Sequence, residues 1–202
     1  MPAGELRDPR SPLPIPGHHK AGDKLLPCEL CVGKREIAAR ESGMAIPQGV
    51  PVRAYGVTVF LCKREDRAWK LLLLCRVTAG RLGATWSQIW GVIEAGETAW
   101  EAALREIREE SGVIPDRFYY ADICEQCYDA HADCVCVIPV FAAFLDSEQA
   151  VVLNEEHSDY RWVTFEEAEA LLPFASRRAV LHHIKGEFID RGPNQSLRLP
   201  TF

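Results

Sequence analysis

The stretch GVIEAGETAWEAALREIREESGV, Gly91 to Val113, brings Glu106, Glu109 and Glu110 within about one helical turn beside an apolar stripe. Like charges at that spacing repel, so either water solvates them or a cation holds them together. Hard oxygen ligands grouped in this way suit Mg²⁺ or Mn²⁺, which take carboxylates and keep positions free for water and phosphate. The other reading of the same residues is a solvated acidic face with i,i+4 partners in Arg105 and Arg108. On an isolated helix both readings stand.

The elements around these glutamates can be read from local chemistry. Thr98 and Glu101 form a capping box, and Gly112 supplies the stop, which predicts a helix from about Ala99 to Ser111. On its wheel Trp100, Ala103, Leu104 and Ile107 make the core-facing stripe, and the three glutamates occupy the neighbouring arc. In front of the helix, Gly91 and Gly96 allow a tight loop whose backbone can approach a ligand. Glu97 stands eight residues ahead of Arg105, placed to receive a charge-assisted hydrogen bond from it.

The rest of the chain must position that helix. Its 202 residues suffice for one domain plus an extension, and a hydrophobic content of 48% with 26% charged residues implies a packed core. A net charge of −6 argues against nucleic acid as a partner, since phosphate contacts need a basic surface. No apolar run approaches a membrane span, and the N-terminus has no apolar core region of a secretory signal, so the expected location is cytoplasmic. Residues 1–48 are Pro-rich and aperiodic, which predicts a poorly ordered leader, dispensable before about Met44, ahead of a domain over 49–202.

Strands are expected at 50–62 and 69–76 around a polar turn KREDRA, then at 118–124, 134–145 and 160–163. Two further helices are expected, one between Thr164 and Pro173 with Glu167 completing its capping box. The other follows Ser176 through RRAVLHHIKGEFI, where Gly186 weakens continuity. This order predicts a mixed sheet between helices, an α/β (α+β) architecture. Two CxxC pairs, Cys28/Cys31 and Cys124/Cys127, could in principle close a zinc site, but their flanks lack the usual Gly-rich turns. Reduced, apolar thiols are the expectation instead. Cys134 and Cys136 should share one face of a strand, and Cys62 and Cys75 could meet across the first hairpin.

Taken together, Gly91, Glu97, Arg105, Glu106, Ile107, Glu109, Glu110, Gly112 and Val113 match the Nudix signature without a mismatch, and the chain resembles a Nudix hydrolase over about residues 50–190. That resemblance implies an α/β/α sandwich that cleaves a nucleoside diphosphate linked to another group, using a divalent metal. It implies Glu106, Glu109, Glu110 and Arg105 as the catalytic set, with Gly96, Glu97 and Gly112 supporting it. Many members have two glycines at the start of the box, whereas Trp90 precedes Gly91 here; the Trp90 carbonyl can still face the metal.

The approach TWSQIWGVIEAGET and the segment NEEHSDYRWVTFEEAEALLPFASRRAVLHHI resemble dihydroneopterin triphosphate diphosphatases and related nucleoside triphosphate pyrophosphohydrolases. By that matching Glu156 joins the metal ligands, and Arg76, Trp86 and Gly91 lie near the triphosphate and ring. The implied reaction converts a nucleoside or pterin triphosphate to the monophosphate and pyrophosphate. Hydrolysis of another nucleoside diphosphate derivative, such as a dinucleoside polyphosphate or nucleotide sugar, is the alternative; a non-catalytic nucleotide-sensing module is a third reading. Tyr128 lies near, though offset from, a tyrosine of dinucleoside polyphosphate hydrolases. His157, His182 and His183 receive no role, and the oligomeric state, a homodimer included, is left open.

Overall fold

The computed structural model describes residues 49–77 and 85–201. By its internal contacts the chain divides into Met1–Gln48 and Gly49–Phe202, and the described residues all belong to the second unit. The expected leader and the Cys28/Cys31 pair lie outside the described residues.

Strand β1 covers Val52–Arg53, β2 Gly56–Glu65 and β3 Ala68–Arg76. The polar run KREDRA is mostly strand, not turn. Asp66 and Arg67 alone make the connection, with φ of 48° and 67°. Positive φ at both central residues gives a two-residue hairpin whose twist matches that of its strands. Cys62 therefore sits opposite Leu71, while Cys75 pairs with Trp86, so the two thiols do not meet.

Strand β7, Cys134–Leu145, runs parallel to β2 from Thr58↔Val140 to Lys63↔Leu145, and β6, Arg117–Asp129, pairs antiparallel with β7. On its other side β2 is shared. Its end pairs with β3 and its start with β5, Ile89–Val92. The wedge left where β3 diverges is filled by β4, Trp86–Ser87, which pairs with β3 at Leu74↔Ser87. Strand β8, His157–Val163, lines the outer edge of β3, and β9, Arg198–Leu199, pairs with β6.

The sheet is buried on both faces, which is why β2 reads as a continuous apolar run. One face carries Phe60, Leu71, Leu73, Tyr119 and Phe144 under α2, Phe165–Leu171, and α3, Ala175–Ile184. The other carries Val59, Leu61, Leu72, Leu74 and Ile89 under α1, Ala99–Ser111. This is an α/β/α sandwich with a mixed sheet. The Thr98/Glu101 and Thr164/Glu167 capping boxes are both formed, and Gly112 takes the left-handed conformation at φ 71°. At its end α3 gives way to a π-helical turn, Lys185–Asp190, around Gly186. Cys134 and Cys136 share one face as expected, their sulfurs 3.8 Å apart. Among the described residues no helix is long and apolar enough to cross a membrane.

Ile107, 0% exposed, docks α1 on the sheet. Ile107→Ala should lower stability to urea by about 2–5 kcal/mol, and Val52→Ala, at a position 68% exposed, should stay within about 0.5 kcal/mol. Similar losses at the two positions would contradict the docking role.

Candidate active site

Helix α1 presents its carboxylates where β5 crosses beneath it. The contact is close because residue 91 is glycine: a Cβ there would run into the Glu106 carboxyl group. Backbone and carboxylate thus share a space that any other residue would fill. Glu106 and Glu110 are sunk toward the sheet, with side chains 12% and 5% exposed, whereas Glu109 stands on the rim at 55%.

Arg105 binds the box together. Its Nε and Nη2 donate to the two oxygens of Glu97 at 2.9 and 3.0 Å, which makes the forked pair its spacing predicted. Nη1 donates to Glu106 at 2.7 Å and to Glu109 at 3.0 Å, and Nη2 also reaches the Val92 carbonyl at 2.8 Å. Hydrogen bonds to Arg105 hold the Glu97 carboxyl below its ordinary range, and the acidic neighbours push the guanidinium pKa upward. Burial, by contrast, raises Glu106.

Glu110 is the least satisfied of the three. Burial, reinforced by Glu106, pushes its pKa up to about 8, against the weaker pull of the Trp90 backbone and Arg76. Its Oε2 is buried without a hydrogen-bond partner. His157 Nε2 lies 4.0 Å from Glu110 Oε1, too far for a hydrogen bond. Burial and Arg76 lower the His157 pKa, so the ring is neutral at pH 7 and makes no ion pair there. Its Nδ1 faces Asn154 Oδ1 at 3.0 Å, which places the proton on Nδ1 and leaves Nε2 bare toward Glu110.

These groups surround a cleft of about 380 Å³. Of the residues singled out from sequence, Arg76, Trp90, Gly91, Arg105, Glu106, Glu109, Glu110 and Glu156 all line it. Gly96 and Glu97 lie in the adjoining loop hollow, and Gly112 ends the helix. Trp86 does not line the cleft. It packs against the core on the sheet face opposite α1, with the Arg161 guanidinium 4.5 Å over its ring. Val92, Glu94 and Asn154, which carry no signal in the sequence, complete the lining. Tyr128 is 57% exposed and donates to Asp133.

A divalent cation would meet a partly engaged donor set. Among the described residues no three His, Cys, Asp or Glu side chains converge as a ready cage. The arginines account for this: Arg105 draws on Glu106 and Glu109, and Arg76 pairs with Glu156 at 2.5 Å. The chemistry nevertheless fits a hard cation. The acids are all-oxygen donors, Glu110 Oε2 lacks a partner, and Gly91 keeps the backbone near Glu106.

The family model for the NUDIX domain matches residues 52–183, more than half of the chain. The chain belongs to the Nudix family. It is 31% identical over 135 residues to the asymmetrical bis(5′-nucleosyl)-tetraphosphatase of Mus musculus, covering 64% of this chain and 90% of that protein. It is also 31% identical over 107 residues to the nucleoside triphosphatase NudI of Klebsiella pneumoniae, covering 47% of this chain and 74% of that one. The fold is similar to that of the E. coli dihydroneopterin triphosphate pyrophosphohydrolase, with a TM-score of 0.55 at 23% identity over 71% of this chain and 99% of that chain. This Nudix protein is thus a hydrolase of a family that generally uses divalent metals and acts on small-molecule nucleotides.

The close approach at Gly91 and the buried Glu110 each have a measurable consequence. Gly91→Ala should displace Glu106 and cut turnover at least about 100-fold while the thermal transition stays cooperative; near-normal activity would refute the close approach. The second consequence concerns pH. Between 4.5 and 8 metal-free folded protein holds a Glu110 proton that the unfolded chain has released. Stability in EDTA should therefore be greatest in this respect below pH 4.5 and be lost as pH rises through about 8. Melting curves of Glu110→Gln should lack that component.

Proposed function

We propose that this Nudix hydrolase is cytoplasmic and cleaves a phosphoanhydride bond of a nucleoside polyphosphate, using Mg²⁺ or Mn²⁺. The observation that carries the reading is the convergence of Glu106, Glu156 and the buried Glu110, whose Oε2 has no hydrogen-bond partner, on one cleft with Arg76. Glu106, Glu109, Glu110, Glu156 and the Trp90 carbonyl would hold the cation. The cation, when bound, supplies charge neutralisation at phosphorus and makes water more acidic.

The chain's own residues do the rest. Arg105, held by Glu97 and the Val92 carbonyl, fixes the rotamers of Glu106 and Glu109. Glu110, beside the bare Nε2 of His157, can hold a proton inside the cleft at neutral pH and give it up as negative charge is compensated. Arg76, half exposed at the mouth, supplies hydrogen-bond donors to a phosphate oxygen.

Our first reading of the substrate is a dinucleoside tetraphosphate, supported by the tetraphosphatase match over 90% of the mouse protein. Hydrolysis would then release a nucleoside mono- and triphosphate. The second reading is a nucleoside triphosphate, giving monophosphate and pyrophosphate. It is favoured by the NudI likeness and by the TWSQIWGVIEAGET approach. A pterin triphosphate rests on that sequence resemblance alone.

The test is a Mg²⁺-dependent comparison of diadenosine tetraphosphate with the four triphosphates, resolving nucleotides, pyrophosphate and phosphate by chromatography. Release of ATP and AMP selects the first reading, and pyrophosphate from a triphosphate selects the second. Glu110→Gln should reduce either activity by at least about 1,000-fold. Retained turnover in that variant with added Mg²⁺ would sink the role of the box.

A further inference from the structure

The two arginines of the cleft differ in how completely they are engaged. Arg105 is anchored by Glu97, Glu106, Glu109 and the Val92 carbonyl, with a side chain 22% exposed. Among the described residues Arg76 makes one side-chain hydrogen bond, from Nη2 to Glu156 Oε2 at 2.5 Å, a single contact for a group with five N–H donors. The Arg76 and Glu156 side chains are 43% and 58% exposed. A pair so open to water is weak and exchanges readily.

The backbone aims this pair at the metal acids. Pairing between β3 and β8 shifts register between Cys75 and Arg76, where Cys75 faces Asp159 but Arg76 faces His157. A bulge of this kind re-directs the side chain at a strand end. Val77 N–H then donates to the Glu156 carbonyl at 2.9 Å, which fixes the two main chains side by side. From there the Glu156 charge is felt at both Glu106 and Glu110, and the Arg76 charge at Glu110. The guanidinium occupies the carboxylate that the fourth acidic ligand would present.

We propose that Arg76 transfers from Glu156 to a substrate phosphate, releasing Glu156 to the divalent cation. The inference rests on the metal-site reading and deepens it: cation and polyphosphate load together because one side-chain exchange serves both. Arg105 cannot take this part, since its move would dismantle the box.

The test is Mn²⁺ binding to nucleotide-free protein, measured by isothermal titration calorimetry. The wild type is compared with Arg76→Met, Glu156→Gln and the double variant, each checked for an unchanged melting transition. Arg76→Met should bind Mn²⁺ roughly two- to fivefold more tightly, the range for an exposed ion pair, and Glu156→Gln more weakly. Adding Arg76→Met to Glu156→Gln should change nothing, and the nucleotide KM of Arg76→Met should rise although its cation affinity is higher. A structural role would move both affinities the same way. Tightening that persists in the Glu156→Gln background would reduce the effect to a distant positive charge and overturn the proposal. Wild-type binding that Arg76→Met leaves unchanged overturns this inference alone. Absence of Mn²⁺ binding in both the wild type and Arg76→Met overturns it together with the metal-site reading.

Discussion

One guanidinium holds the candidate site together. Three glutamates on adjoining positions of α1 repel one another, and their helix packs over a strand whose nearest residue has no side chain. Arg105 resolves this by crossing from the helix to the loop before it, bonding Glu97 and the Val92 carbonyl on one side and Glu106 and Glu109 on the other. Because a planar guanidinium presents its donors in a fixed fork, satisfying all four acceptors fixes the angle between loop and helix. Lysine, a point charge on a flexible stem, could neutralise the acids but could not set that angle.

The sheet supplies the remaining distances. Residues 76, 91, 106 and 156 are far apart in sequence, and they meet because β2 and β3 diverge. The gap admits β4 and β5, which carry Gly91 under the helix, while β8 follows β3 to bring Glu156 beside Arg76. Burial on both faces makes this arrangement hard to shift: a one-residue slip would move Leu72 and Leu74 from the α1 core to the face covered by α2 and α3.

Much of this is legible in the sequence, and the rest is hidden for identifiable reasons. Helix α1, with both caps and its apolar stripe, is written in local chemistry, so its bounds are readable to the residue. The Glu97–Arg105 bond is readable because eight residues span the end of a loop and about two helical turns. Strands β4 and β5 are not, since SQIWGV is short, interrupted by Gly91 and stabilised by pairing with distant β2 and β3. The continuation of β6 through Asp129 is hidden by exposed polar residues, whose place in the sheet comes from β7 across the register. The family resemblance sets Trp86 near the triphosphate and ring, but its side chain packs on the opposite face. Arg76–Glu156 has no local signal, because it depends on the bulge that brings residues eighty positions apart together.

That separation of faces also bears on substrate choice. The cleft beside α1 is lined by carboxylates and arginines, with Trp90 as the one aromatic in its lining. Such a lining recognises phosphate and cation; it has little with which to tell one base from another. The Trp90 ring leans away, over Gly56 and edge-on to Tyr55 at 6.4 Å, toward the face that also bears Trp86 and Arg161. On the proposed reading a polyphosphate would lie on one side of β5, and a base would have to be read around its edge, by residues the signature does not include. The box can then stay constant while the far face changes, which is how one fold serves many substrates.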